Sequence, residues 1–142
     1  MSAVTAPGVS GVLETSLYVA DLDRAAAFYA NVLGLTKIAG DARFRAFDAG
    51  GASVLLLFLH GATGQTVRLP GGTMPPHEGS GRLHVALAVA AADLAEWERR
   101  LAAAGVGIEG RTDWPRGGRS LYFRDPDAHL VELATPGLWP NY

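Results

Sequence analysis

The chain repeats itself, and this repeat constrains its fold more than any other property. ETSLYVA at Glu14–Ala20 matches HVALAVA at His84–Ala90, placing Leu17 on Leu87, Val19 on Val89 and Ala20 on Ala90. After a one-residue insertion, Gly34 falls on Gly105. RAFDAGGASVLLLF at Arg45–Phe58 then matches LYFRDPDAHLVELA at Leu121–Ala134 without gaps, so Phe47 meets Phe123, Leu55 meets Val131 and Leu57 meets Leu133. Matches in the same order along both halves point to a duplicated unit.

Each half reads strand, helix, then further strands, an α+β pattern. Leu13, Thr15, Leu17 and Val19 alternate with Glu14, Ser16 and Tyr18, as in a strand with one face on a core. Asp21 offers an N-cap, Leu22, Ala25, Ala26, Tyr29, Val32 and Leu33 recur at helical spacing, and Gly34 closes the helix. In the second half a strand runs from Leu83 to Val89. Asp93 is the expected cap of a helix carrying Leu94, Trp97 and Leu101, with Glu96 spaced to pair with Arg100 and Gly105 at the end. The units are expected at residues 11–60 and 82–136 of a single domain. Between them, residues 61–81 are rich in Gly and Pro and without periodicity, which predicts a linker or flap without a strand ladder.

The bulk properties narrow the function. The 142 residues, 49% apolar and 18% charged, can bury a core without staples. A net charge of −2 argues against nucleic-acid or anionic-membrane partners. The absence of cysteine excludes disulfides, thiolate metal sites and a Cys nucleophile. The opening MSAVTAPGVSGV has neither a positive n-region nor an apolar h-region, so no signal peptide is read there. The longest apolar runs, Val54–Leu59 and Val85–Ala92, are too short to span a bilayer, and the expectation is a soluble cytoplasmic protein.

Strand parity places the chemistry. With Leu83, Val85, Leu87 and Val89 on one face, His84 projects from the other; Glu132 likewise opposes Val131 and Leu133. Ser120 and Tyr122 oppose Leu121 and Phe123. The face turned away from the helices therefore collects Glu14, Ser16, Tyr18, His84, Ser120, Tyr122 and Glu132. In the repeat, His84 takes the slot of Glu14 and Glu132 that of Leu56, so three of four equivalent positions can ligate a divalent cation. Three protein ligands leave positions open for water or substrate, the pattern of a catalytic site. Two carboxylates and an imidazole suit one ion of Mn, Fe, Co, Ni or Zn. Taken singly, a Glu opening a strand is ordinarily just solvated and a lone His in a sheet is ordinarily a hydrogen-bonded filler. His60 and His77 read as loop or flap residues, and His129 as ordering a local turn. Trp114 can roof the cavity or simply pack, and Trp139 and Tyr142 are expected to cover apolar surface near the C-terminus.

LYVADLDRAAAFYANVLGL resembles the opening signature of the vicinal oxygen chelate superfamily, and LYFRDPDAHLVELATP resembles its closing one. The resemblance runs from about Val12 to Pro136. That superfamily takes in glyoxalase I, extradiol dioxygenases, fosfomycin-resistance transferases and bleomycin-binding proteins. It implies two tandem βαβββ modules forming a half-barrel-like sheet around a central site, with helices on the outer face. Its metal positions fall on Glu14, His84 and Glu132, and Ser120 and Tyr122 match substrate-contacting positions of the fosfomycin-resistance enzymes. Glu14 stands where many relatives have His or Gln, Leu56 removes the further ligand of glyoxalase I, and a single His disfavours extradiol chemistry. A homodimer is implied by analogy.

Two functions follow as expectations. The first is a divalent-metal-dependent enzyme acting on a small oxygen-chelating substrate, with isomerase or lyase chemistry favoured over dioxygenase chemistry. Glu14 or Glu132 would serve as base, Tyr122 would assist, and Ser16, Tyr18, Leu56, Phe58, Trp114 and Ser120 would contact substrate. The second is a metal-free drug- or metabolite-binding resistance protein of the bleomycin type, using Leu56, Phe58, Tyr18 and Tyr122 as an apolar groove.

Overall fold

The computed structural model describes residues 5–142; residues 1–4, part of the stretch read above for a leader, lie outside it. The first half forms β1 (Glu14–Val19), α1 (Leu22–Asn31), β2 (Thr36–Gly40), β3 (Phe44–Asp48) and β4 (Val54–Leu59). Two short strands follow, β5 (Val67–Leu69) and β6 (Gly72–Met74). The second half forms β7 (His84–Ala88), α2 (Leu94–Ala103), β8 (Gly110–Asp113), β9 (Arg119–Arg124) and β10 (Leu130–Ala134). Both halves are thus βαβββ units, and their sheets have the same order, β1-β4-β3-β2 and β7-β10-β9-β8.

The register shows the duplication at the level of single residues. Glu14 opens β1 opposite Val54, and His84 opens β7 opposite Leu130, both in parallel pairs. Leu56 and Glu132 each sit third in their strands, opposite Ser16 and Ala86.

One core serves both units. Leu17, Val19, Leu55 and Leu57 of the first sheet share it with Val85, Phe123, Val131 and Leu133 of the second, and with Leu22, Ala25, Tyr29 and Leu101 of the helices. Fully burying a side chain such as Phe47, Phe123 or Leu57 stabilises by about 1.5–3 kcal/mol each. Because strand side chains alternate, the opposite faces of both sheets are turned away from this core.

Helix ends depart from expectation in the second half. Asp21 caps α1 through its side chain, which accepts from the Arg24 N–H at 3.0 Å. Asp93 makes no such bond, because a short 3₁₀ turn at Ala91–Asp93 leads into α2 and leaves Asp93 in helical geometry. Arg100 does not pair with Glu96, which binds Arg99 instead at 2.5 Å. Arg100 reaches across to α1, donating to the carbonyls of Val32 (2.6 Å) and Asn31 (3.0 Å). Carbonyls at a helix C-terminus lack intrahelical donors, so a guanidinium from the other unit completes them.

Residues 61–81 also differ from the reading above, since β5 and β6 form an antiparallel hairpin with Leu69 opposite Gly72. Pro70 and Gly71 occupy the turn, where a missing N–H costs nothing. At the C-terminus, where Trp139 and Tyr142 are expected to cover apolar surface, Trp139 is 64% exposed and the Tyr142 hydroxyl donates to the Ala134 carbonyl at 2.7 Å. No described helix is long and apolar enough to cross a membrane.

Candidate functional site

The second sheet brings His84, Ser120, Tyr122 and Glu132 onto one face, as parity predicts. Glu132 pairs directly with Tyr122 across β10 and β9. Its carboxylate is only 7% exposed, so it needs partners. Oε2 accepts from the Ser120 hydroxyl at 2.5 Å, and Ser120 Oγ in turn accepts from Trp114 Nε1 at 2.8 Å. Oε1 lies 3.1 Å from Nε2 of His84.

His84 is half exposed, and its Nδ1 faces the Leu130 carbonyl at 3.0 Å. A carbonyl only accepts, so Nδ1 carries the hydrogen. Nε2 then presents either a lone pair or a second proton to Oε1. With a neutral imidazole, two lone pairs face one another and call for a cation between them. A ligating His that gives its other N–H to a backbone carbonyl is a recurring feature of metal sites. The donor set therefore fits a divalent ion held by His84 and Glu132.

Glu14 does not join them. It lies exposed at the start of the first sheet, and no group of three His, Asp or Glu side chains converges among the described residues. Of the three ligands expected, the chain itself brings two together.

The equivalent face of the first sheet has another character. Ala46, Leu56 and Phe58 form a small apolar cluster with Tyr18, Phe44 and Val54 packed on it. Tyr18 and Phe58 stack with ring centroids 6.0 Å apart. His77, from the segment read as a flap, stands edge-on to Phe58 at 4.6 Å, and its Nδ1 lies 2.6 Å from the Tyr18 hydroxyl. Burial, and then the nearby Glu78 carboxylate, push the Tyr18 phenol above its ordinary value. A pocket of about 390 Å³ opens beside this contact, lined by Tyr18, His60, Thr63, Glu78 and Gly79 among others. The sequence places His77 only in a loop or flap, because its segment lacks the periodicity that assigns a side chain to a face.

His129 does more than order a turn. Fully buried, it accepts the Leu83 N–H on Nδ1 at 2.8 Å, which leaves Nε2 protonated to donate to the Tyr18 carbonyl at 2.7 Å. Arg124, on the same face as Tyr122, is taken up by Glu109 at 2.9 Å.

A family model described as the Glyoxalase/Bleomycin resistance protein/Dioxygenase superfamily matches residues 11–133. The chain belongs to this superfamily. Among solved structures of the fold, a lactoylglutathione lyase from Agrobacterium tumefaciens is 32% identical, covering 95% of this chain and 99% of that one, with a TM-score of 0.84. TioX from Micromonospora sp. ML1 is 26% identical over 89% of this chain and 98% of its own, with a TM-score of 0.67. The fosfomycin resistance protein FosX from Mesorhizobium loti, 23% identical over 90% and 93% with a TM-score of 0.62, shares the fold. No curated protein sequence matches. Superfamily membership accounts for the paired βαβββ units and for the open sheet faces on which the candidate residues stand.

Proposed function

We propose that this superfamily member is a divalent-metal-dependent enzyme acting on a small substrate that chelates through adjacent oxygens, by isomerase or lyase chemistry. The carrying observation is the facing pair of His84 Nε2 and Glu132 Oε1, 3.1 Å apart, each secured from behind by Leu130 O and Ser120 Oγ. Two ligands at right angles around an ion, each at about 2.0–2.2 Å, stand roughly 3 Å apart. Glu14 is the third ligand in this reading, presented by the first sheet of a second copy in a cytoplasmic homodimer.

An ion bound there supplies Lewis acidity to a developing oxyanion. The chain's own carboxylates divide the remaining work. Glu132 is buried and tethered by Ser120, which suits a fixed ligand. Glu14 is the exposed one of the two, which suits the group that loosens from the ion to take a proton from carbon next to the chelating oxygen. Tyr122, beside Glu132, and the first-sheet row of Ser16, Tyr18, Leu56 and Phe58 wall the substrate. The name of the 32% identical relative makes lactoylglutathione the first substrate to assay.

The aromatic wall of Tyr18, Phe44 and Phe58 beneath His77 favours a second reading, a metal-free protein that sequesters a drug or metabolite. Metal uptake separates the two. Protein exposed to Mn, Fe, Co, Ni or Zn and then desalted should retain about one ion per chain, and His84→Ala should retain little. Wild-type protein that takes up none of these ions, yet binds bleomycin, overturns the enzyme reading in favour of the second.

A further inference from the structure

We propose that Ser120 and Trp114 are positioning residues that orient the Glu132 carboxylate for metal binding, rather than substrate contacts; this rests on the metal-dependent reading above. Hydrogen-bond direction is the argument. An indole N–H can only donate, so Ser120 Oγ must accept from Trp114 Nε1 at 2.8 Å. The single hydroxyl hydrogen of Ser120 then goes to Glu132 Oε2 at 2.5 Å. Each member of the relay is therefore directed, and its end point is one named oxygen of the carboxylate.

The consequence lies at the other oxygen. With Oε2 held, the carboxyl plane is set and Oε1 is turned toward His84 Nε2. Ser120 is 1% exposed and has its proton committed, so it has no surface to offer a substrate. Without the hydroxyl, the carboxylate regains rotational freedom and Oε2 is left buried without a donor, which opposes the geometry the ion needs. Trp114 acts only through Ser120, and its indole becomes a reporter of what happens at Glu132.

The experiment uses full-length protein, stripped of metal and titrated with Zn²⁺ by calorimetry and by tryptophan emission. Ser120→Ala should weaken Zn²⁺ binding about 10–100-fold, the usual cost of losing a partner behind a ligand. Trp114→Phe should weaken it less, and the double variant should bind no more weakly than Ser120→Ala. In wild type, Zn²⁺ should change the emission; Ser120→Ala, which keeps the indole, should lose most of that change at saturating Zn²⁺. Trp114→Phe gives the background from Trp97 and Trp139 and carries the test alone if Ser120→Ala does not fold. Wild type that binds Zn²⁺ while the variants bind it equally overturns the positioning role and leaves the metal reading standing. Wild type that binds neither Zn²⁺ nor Co²⁺ overturns both.

Discussion

The His129 imidazole joins the two units by donating from Nε2 to the Tyr18 carbonyl, 111 positions earlier in the chain, at 2.7 Å. Its other nitrogen accepts the Leu83 N–H, so one buried ring satisfies main-chain groups at the start of the second unit and the end of the first strand. His129→Leu keeps the volume but orphans both groups. Each costs about 1–3 kcal/mol when buried without a partner, so an overall loss of roughly 2–6 kcal/mol is expected in urea unfolding. A loss below about 0.5 kcal/mol, the range of a surface substitution, would show that the ring bears little of the junction.

Alkaline pH should weaken the same junction. Tyr29 of α1 is fully buried and donates to Asp125 Oδ2 in the other unit at 2.7 Å. Burial, and then the Asp125 carboxylate, raise its phenol well above the ordinary value of 10.0. A raised folded-state value stabilises fully below pH 10 and loses that contribution as pH climbs above it, because only the unfolded chain then releases the proton. The decline attributable to Tyr29 is about 1.4 kcal/mol per pH unit. Tyr29→Phe should be less stable at neutral pH yet decline less steeply above pH 10. Parallel pH curves for the two proteins would contradict this assignment.

Gly79 sets how closely residues 61–81 lie on the first sheet. A Cβ there would stand 2.3 Å from the Tyr18 ring, which is itself held by Phe58 and His77. Gly79→Ala should lift the segment, measured as faster amide exchange across residues 61–81, with little change in the melting temperature because the shared core is untouched. Unchanged exchange would mean that the Tyr18 ring, not the segment, gives way.

Much of the fold was legible in the sequence for a simple reason. Strand alternation and helical spacing are local, and the duplication reads each pattern twice. That is why His84 and Glu132 could be placed on one face from parity alone: Val85, Val131 and Leu133 had only one core to enter. The hairpin at Val67–Met74 was not legible, since three-residue strands are too short to show a period.

What the sequence by itself determined was the α+β duplication and which side of each strand enters the shared core. Only the tertiary structure decided what the polar residues touch. Arg100 looked spaced for Glu96 but serves the α1 carbonyls, because unsatisfied helix ends are a stronger demand than an exposed ion pair. Ser120 gives its hydrogen to the Glu132 carboxylate and accepts the Trp114 indole N–H in turn, because a buried charge must be hydrogen-bonded. Glu14 shares a repeat slot with His84 yet stands on the other sheet. A repeat specifies equivalent positions within each unit, and the docking of the units decides which of those positions meet.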